Sequence, residues 1–286
     1  MTEPQWLGMF EAFVAEKTAA AVRAEIPAYS TELCRPPADA IAIGNDWSIR
    51  LFDGLFYIPL ARRPDRPACS LVFVQSADGN TGADDPEALG GGVADKHLIY
   101  EGLSRVACDA VLAGAHTVRG SRVMFSVWHP ELVHLRAALG LPRHPIQIVA
   151  SLSGMNLDES LLFNLPSVPV ILLTVDAAAQ KMAAALRARP WLRVIRMSTP
   201  ADLHGAFGEL RGADITRISC VGGRTLARAL LDAGLVDGIY LTTGAVPGGE
   251  PQTPLHHRRW RGPALVRKLG TGVDSGVVFE HILPAP

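Results

Sequence analysis

Ile218-Ser219-Cys220-Val221-Gly222-Gly223-Arg224-Thr225-Leu226-Ala227 is the stretch on which the architecture turns. A short apolar run with β-branched residues ends on two glycines. A helical pattern starts at once, with Leu226, Ala229, Leu230 and Ala233 at helical spacing and Gly234 as the stop. A strand that runs through Gly-Gly into a helix N-terminus suits an anion. Glycine lets a phosphate approach the backbone, and the unpaired N–H groups and helix dipole favour negative charge. The same residues also describe a plain tight turn, and this segment alone does not choose between the two.

Two more strand ends lie upstream. Leu71–Gln75 runs into Ser76-Ala77-Asp78-Gly79, and Asp109–Ala113 runs into Gly114-Ala115-His116-Thr117-Val118-Arg119. From Ala68 the chain alternates. The pattern predicts a helix over about 95–107, strands at 110–113, 146–150 and 170–174, and an Ala-rich helix capped by Asp176 that ends before Pro190. A strand at 192–197, a helix opened by Thr199-Pro200 and reaching Leu210, and a strand at 215–221 follow. Late strands at 236–243 and 276–283 have no helix between them. The expected class is α/β: a mostly parallel central sheet covered on both faces, with an antiparallel edge. A dinucleotide-binding G-x-G-x-x-G after an early strand is absent, and Gly90-Gly91-Gly92 reads as a mobile loop.

Residues 1–66 read as an N-terminal extension to a domain at 67–286. Trp6, Met9, Phe10, Phe13 and Val14 trace an amphipathic helix over about 3–25. Trp47–Phe52, Asp53-Gly54 and Leu55–Ile58 read as a β-hairpin with an Asp-Gly turn. Arg62-Arg63-Pro64-Asp65-Arg66-Pro67 reads as a solvated linker. The extension is expected to pack on the core or on a partner subunit.

At 286 residues, 48% hydrophobic and 19% charged, the chain can bury a sizeable core. A net charge of −1 and the lack of a basic stripe argue against a nucleic-acid partner. No apolar run is long enough to span a membrane, and Met1–Trp6 lacks a basic region before an apolar core. The expected compartment is the cytoplasm. Cys34, Cys69, Cys108 and Cys220 are scattered without a C-x-x-C pair, and the last three read as buried free thiols. No metal site is expected, and His256-His257-Arg258-Arg259 reads as an exposed loop.

The order Ser-x-Asp-Gly, Asp-Ala-Val-Leu-x-Gly-x-x-Thr-Val, Gly-Gly-x-x-Leu resembles the reductase domain of bacterial riboflavin biosynthesis, a relative of dihydrofolate reductase. The resemblance covers about Ala68 to Leu283. It implies a dihydrofolate-reductase-like three-layer fold, a homodimer, and NADPH-dependent reduction of the ribose of a small pyrimidine substrate, 5-amino-6-ribosylaminouracil phosphate. The zinc deaminase that accompanies the domain in bifunctional relatives has no signature here. By the resemblance, Gly114 and Thr117 touch the nicotinamide half and phosphates, while Gly222, Gly223, Arg224 and Thr225 hold the pyrophosphate. Ser151 and Thr174 lie along the adenosine side and its 2′-phosphate, or are ordinary turn and helix caps. Asp78 faces the acceptor's ribose as the catalytic or substrate-side group, or is a turn residue bonded to its own backbone. Arg119 and Arg122 stand where relatives place bases for the substrate phosphate.

Two positions depart from that pattern. The glutamate usual before Gly-Gly is Val221, which cannot hydrogen-bond a base edge. The Asp-x-Pro-x-Leu run after Thr-Val is replaced by Gly120-Ser121-Arg122-Val123. Reduction of a pterin or another heterocycle, and nucleotide binding without turnover, therefore stay open beside the riboflavin pyrimidine.

Overall fold

The computed structural model describes residues 2–38, 40–120, 122–256, 262–270 and 274–283. Ser121 and the expected basic loop at His257, Arg258 and Arg259 lie outside them. Apolar runs too short for helices make the central strands: β4 (Ala68–Gln75), β5 (Ala110–Gly114), β6 (Ile146–Ser151), β7 (Val170–Val175), β8 (Arg193–Met197), β9 (Arg217–Gly222) and β10 (Gly238–Thr243). They pair in parallel in the order β10-β4-β9-β5-β6-β7-β8. β12 (Val278–Ile282), β11 (Leu265–Lys268) and β1 (Ser30–Cys34) extend the β10 side antiparallel, completing a ten-stranded sheet. The α/β class, the mostly parallel sheet and its antiparallel edge are as expected.

Alternation along each central strand divides its side chains between two cores. Val72, Val111, Val149, Leu172 and Val221 face one side, under the helical segments 3–23, 92–106, 130–138 and 176–187. Leu71, Leu112, Ile148, Leu173 and Cys220 face the other, under helices Leu203–Arg211 and Arg224–Asp232. Helix, sheet, helix is the three-layer arrangement. Cys69, Cys108 and Cys220 are buried free thiols, and burial pushes Cys108 up to about 11 and Cys220 up to about 12. Cys34 is exposed. Among the described residues no helix is long and apolar enough to cross a membrane.

Several local expectations need correction. Trp47–Phe52 is not the first strand of a hairpin but part of a helix, Asp46–Phe52. Asn45 and Ser48 form a reciprocal capping box, each side chain accepting the other's backbone N–H at 2.9 Å. Asp53, at φ 56°, ends the helix in the left-handed region, so Asp-Gly is a helix terminus here rather than a hairpin turn. β3 (Phe56–Pro59) pairs instead with β2 (Ala40–Ile43). Arg66 is not a solvated linker residue. It is buried and grips Asp237 through two nitrogens at 2.7 and 2.8 Å, tying the chain to the start of β10. The Gly90–Gly92 triplet is not an open loop. Gly90 ends a 3-10 turn, and a Cβ on Gly92 would lie 2.2 Å from the Asp274 carboxyl carbon. Helix Leu203–Arg211 starts after the Thr199-Pro200 turn, and Asp176 is the first residue of its helix rather than the cap.

The N-terminal residues are woven into the fold. Trp6 and Phe13 are buried in the first core, Phe13 stands edge-on to Trp128 at 5.5 Å, and β1 forms the sheet's outer strand.

Candidate functional site

In an open parallel sheet ligands settle beyond the C-terminal ends of the strands. The N-terminal ends are held by structural carboxylates. Asp109 accepts the backbone N–H groups of Thr216 and Arg217 at 2.8 and 2.9 Å, and Asp237 accepts that of Cys69 at 2.8 Å. The C-terminal ends are built differently. β5 and β9 are in register through Leu112 and Cys220, then Ala113 lies opposite Gly222, so Val221 is bulged out. The bulge delivers Gly222 and Gly223 (φ 85°) against the end of β5. A Cβ on Gly223 would lie 3.6 Å from Gly114 Cα, and one on Gly222 would lie 3.2 Å from Thr117 Cγ2 and Oγ1. Gly114, Thr117, Gly222 and Gly223 therefore form one crevice. Arg224 and Thr225 open the nine-residue helix beyond it, whose first-turn N–H groups lack intrahelical acceptors.

A second loop closes on this crevice. Arg224 donates to Glu250 at 3.1 Å. Glu250 N–H donates to the Gly82 carbonyl at 2.7 Å, and Thr253 N–H donates to Asn80 Oδ1 at 3.2 Å. Asp78 belongs to the same stitching. Its Oδ1 accepts the Ser76 hydroxyl at 2.5 Å and the Gly248 N–H at 3.2 Å. Those bonds, the Ser76 hydroxyl first, hold the exposed Asp78 carboxyl below its usual range, so it stays ionised. It can orient a neighbour but does not carry a proton to give away.

The remaining expected residues fall in different settings. Thr174 is buried and donates its hydroxyl to the Ser151 carbonyl at 2.6 Å, which turns it away from solvent. Ser151 Oγ is buried with no hydrogen-bond partner among the described residues. Arg119 is exposed on the turn after β5. Arg122 is exposed but pairs with Glu16 of the N-terminal helix at 2.6 Å and lies over the Phe13 ring, so the extension already engages it. Val221 is buried in the first core. Among the described residues no cluster of three or more His, Cys, Asp or Glu could hold a metal.

Three groups were not singled out from sequence. Arg196 lies opposite Thr174 on β8, exposed and 3.4 Å from Asp176. Glu250 partners Arg224 from a loop. Asp95 opens the π-helical turn Asp95–Leu103 beside β4 and β10, and burial raises it to about 6. A carboxylate at the start of a helix expected from residue 95 was visible, but its neighbours were not.

A nicotinamide dinucleotide fits what is present on two counts. The glycine crevice at a helix N-terminus would be filled by any Cβ, and the buried Ser151 hydroxyl is unpaired beside it along the sheet.

Comparison with known proteins gives the family and the fold. Residues 67–258 match the family model for the RibD C-terminal domain. A Methanothermobacter thermautotrophicus protein, 2,5-diamino-6-ribosylamino-4(3H)-pyrimidinone 5′-phosphate reductase, is 26% identical over 172 residues, 60% of this chain and 74% of its own length. A pyrimidine reductase-like protein from Corynebacterium diphtheriae superposes with a TM-score of 0.60 at 20% identity, covering 78% of this chain and 93% of that one. The riboflavin biosynthesis reductase of Saccharomyces cerevisiae gives a TM-score of 0.53 at 16% identity, with coverage of 77% and 90%.

Proposed function

This chain belongs to the RibD C-terminal domain family, and from that membership we propose that it is an NADPH-dependent reductase of a ribosylaminopyrimidine phosphate. The acceptor is the class of compound for which the archaeal relative is named. The observation that carries the reading is the Gly114–Gly222–Gly223 crevice at the head of helix Arg224–Asp232. When bound, the nicotinamide supplies a hydride to the acceptor carbon. The chain's own residues do the rest. Gly222, Gly223 and the first-turn N–H groups at Arg224 and Thr225 receive the pyrophosphate, with Gly114 and Thr117 on the opposite wall. The 2′-phosphate falls toward the unpaired Ser151 hydroxyl and the exposed guanidinium of Arg196, at the strand end that the Thr174 hydroxyl ties to the Ser151 carbonyl. Arg119 is the available cation for the acceptor phosphate, since Arg122 is paired. Asp78, ionised and bonded to Gly248, holds the 244–253 loop over the cleft and orients the ribose. Residues 67–286 act as the reductase unit, residues 1–66 cover its first core, and the protein works in the cytoplasm as a homodimer.

Val221 favours a second reading, reduction of a less polar heterocycle, because β9 offers no hydrogen-bonding group before the glycines. The experiment that separates them is NADPH oxidation with the diaminopyrimidinone phosphate in wild type and in Val221→Glu. Turnover by wild type, retained or raised in Val221→Glu, supports the pyrimidine. No oxidation by folded, NADPH-binding wild type refutes it.

A further inference from the structure

Near the C-terminal ends of β4 and β10, on the sheet face that carries Val72 and Val221, lies a polar group that the reading above leaves unused. Asp95 sits at the start of a π-helical turn, a widening that often marks functional sites. A Cβ built on Gly91 would lie 3.1 Å from Asp95 Oδ2 and 2.9 Å from Val74 Cγ2, so Gly91 has the carboxyl and the penultimate residue of β4 as its neighbours. Thr242 pairs with Val74 in the β10–β4 register, and its hydroxyl faces Asp95. That hydroxyl is buried, the residue being 1% exposed, and makes no hydrogen bond of proper geometry among the described residues. Tyr29, 4% exposed, also has a buried hydroxyl without a partner, and it lies within electrostatic reach of Asp95 and Asp274. Unpaired buried hydroxyls are costly, and Tyr29 and Thr242 leave two such groups on the elements around Asp95, which a ligand's hydrogen-bonding groups can complete. Asp274, the other acid, is engaged with the Val93 N–H at 2.9 Å.

Resting on the reductase reading, we propose that Asp95 is the catalytic acid of the cleft, meeting the acceptor beyond β4 and β10 and donating the proton that accompanies reduction. The division of labour follows from the two acids' surroundings. Asp78 is kept ionised by hydrogen bonds, whereas Asp95 is desolvated, raised to about 6, and has no cation among the groups acting on it. The groups it shares an interaction with are Thr242 from β10, Tyr29 from the segment before β1 and Tyr100 from its own helix, while Asp274, from the loop before β12, acts on the same Tyr29. The adjacent Lys96 is turned to Glu87. In the step, a C–H bond forms at the acceptor carbon from the hydride of the nicotinamide cofactor, which is oxidised. The acceptor C=O or C=N π bond breaks, and its electron pair goes to the heteroatom. That heteroatom takes the Asp95 proton, and the carboxylate is reprotonated from water.

The test uses full-length wild type, Asp95→Asn and Thr242→Val, with NADPH and 2,5-diamino-6-ribosylamino-4(3H)-pyrimidinone 5′-phosphate as the probe. Wild-type kcat should fall above about pH 6 as the acid ionises. Asp95→Asn should lose about 10²- to 10⁴-fold in kcat and this pH limb, with NADPH affinity within threefold. Thr242→Val should move the limb to higher pH, because the hydroxyl favours the ionised form. A second readout needs no turnover. The folded state holds the Asp95 proton from the usual carboxylate range up to about 6, so stability falls as pH rises through that window. Without ligands, Asp95→Asn should therefore melt higher than wild type at pH 8, by about 3 °C or more, and lose that advantage near pH 4. Undiminished kcat with an unchanged pH profile overturns the proposal. So does an Asn variant destabilised equally at both pH values, which would make Asp95 structural. If wild type fails to oxidise NADPH with this probe, the function above fails, and the pH-linked melting difference still decides whether Asp95 is the strained carboxyl argued here.

Discussion

Replacing Gly114 with alanine separates the crevice from the fold. A Cβ at Gly114 would lie 3.8 Å from the Gly222 carbonyl oxygen and from Gly223 Cα, ordinary van der Waals contact, and its φ is not in the left-handed region. The free protein can therefore accept the methyl. Fewer conformations in the unfolded chain should offset the small packing cost, since Gly→Ala at a compatible site stabilises by about 0.4–1 kcal/mol. The bound state is different. A ribose or phosphate in van der Waals contact with Cα must retreat by more than ~1 Å to clear a methyl, losing close contacts and lengthening bonds to the helix N-terminus. We expect NADPH affinity to fall ten- to a hundredfold, about 1.4–2.8 kcal/mol. Fluorescence titration with NADPH measures the loss, and thermal unfolding without ligand measures the fold. Unchanged affinity in a variant that melts like wild type would remove the cofactor from this crevice. A variant that fails to fold would refute the contact geometry itself.

Two further changes probe the rest of the site. Asp78→Asn keeps the turn's shape but weakens the charge-assisted bonds to Ser76 and Gly248. kcat/KM should fall by about 10²-fold with NADPH affinity within a few-fold, and full turnover would reduce Asp78 to a turn residue. Wild type should bind NADPH at least about tenfold tighter than NADH, and Arg196→Ala should erase most of that preference. Equal wild-type affinities would sink the assignment of the Ser151–Thr174–Arg196 end to the 2′-phosphate.

The central sheet was legible because most of its parallel strands are buried on both faces and read as nearly uninterrupted apolar runs, the edge strand β8 with its exposed Arg193 and Arg196 apart. Ile146–Ser151 and Val170–Val175 differ from expectation by a residue at most. Asp53-Gly54 misled because the same dipeptide closes a hairpin or ends a helix. What decided was Asn45, whose side chain caps the helix at Ser48 and lies eight residues upstream of Asp53. β1 was invisible for another reason. Ser30–Cys34 is largely exposed, and its partner β11 lies 238 residues away at Ser30–Lys268, so no local signal marks either. Arg66 looked like linker charge because its partner Asp237 is 171 residues away. The Asp95 surroundings come from four separated segments, at Tyr29, Asp95, Thr242 and Asp274, and no spacing in the sequence joins them.

Under the proposed reading the two halves of the cleft obey different constraints, and only one leaves a local pattern in the sequence. On the proposed cofactor side the contacts are to backbone. Close approach demands glycine at 114, 222 and 223, and a helix must begin where the β9 bulge points, so the requirement is written as Gly-Gly followed by a helical pattern. On the acceptor side the contacts are side chains, and any element that reaches the strand ends can supply them. Val221 leaves β9 without a polar group before the glycines, and under the proposal that need falls to a desolvated carboxyl on the helix packed over the same sheet face, Asp95. That site retains its unpaired hydroxyls at Thr242 and Tyr29, at a cost to stability that packing elsewhere must offset. The carboxylates at the opposite ends of these strands, Asp109 and Asp237, each accept several hydrogen bonds, whereas at Asp95 burial outweighs the single Thr242 contact.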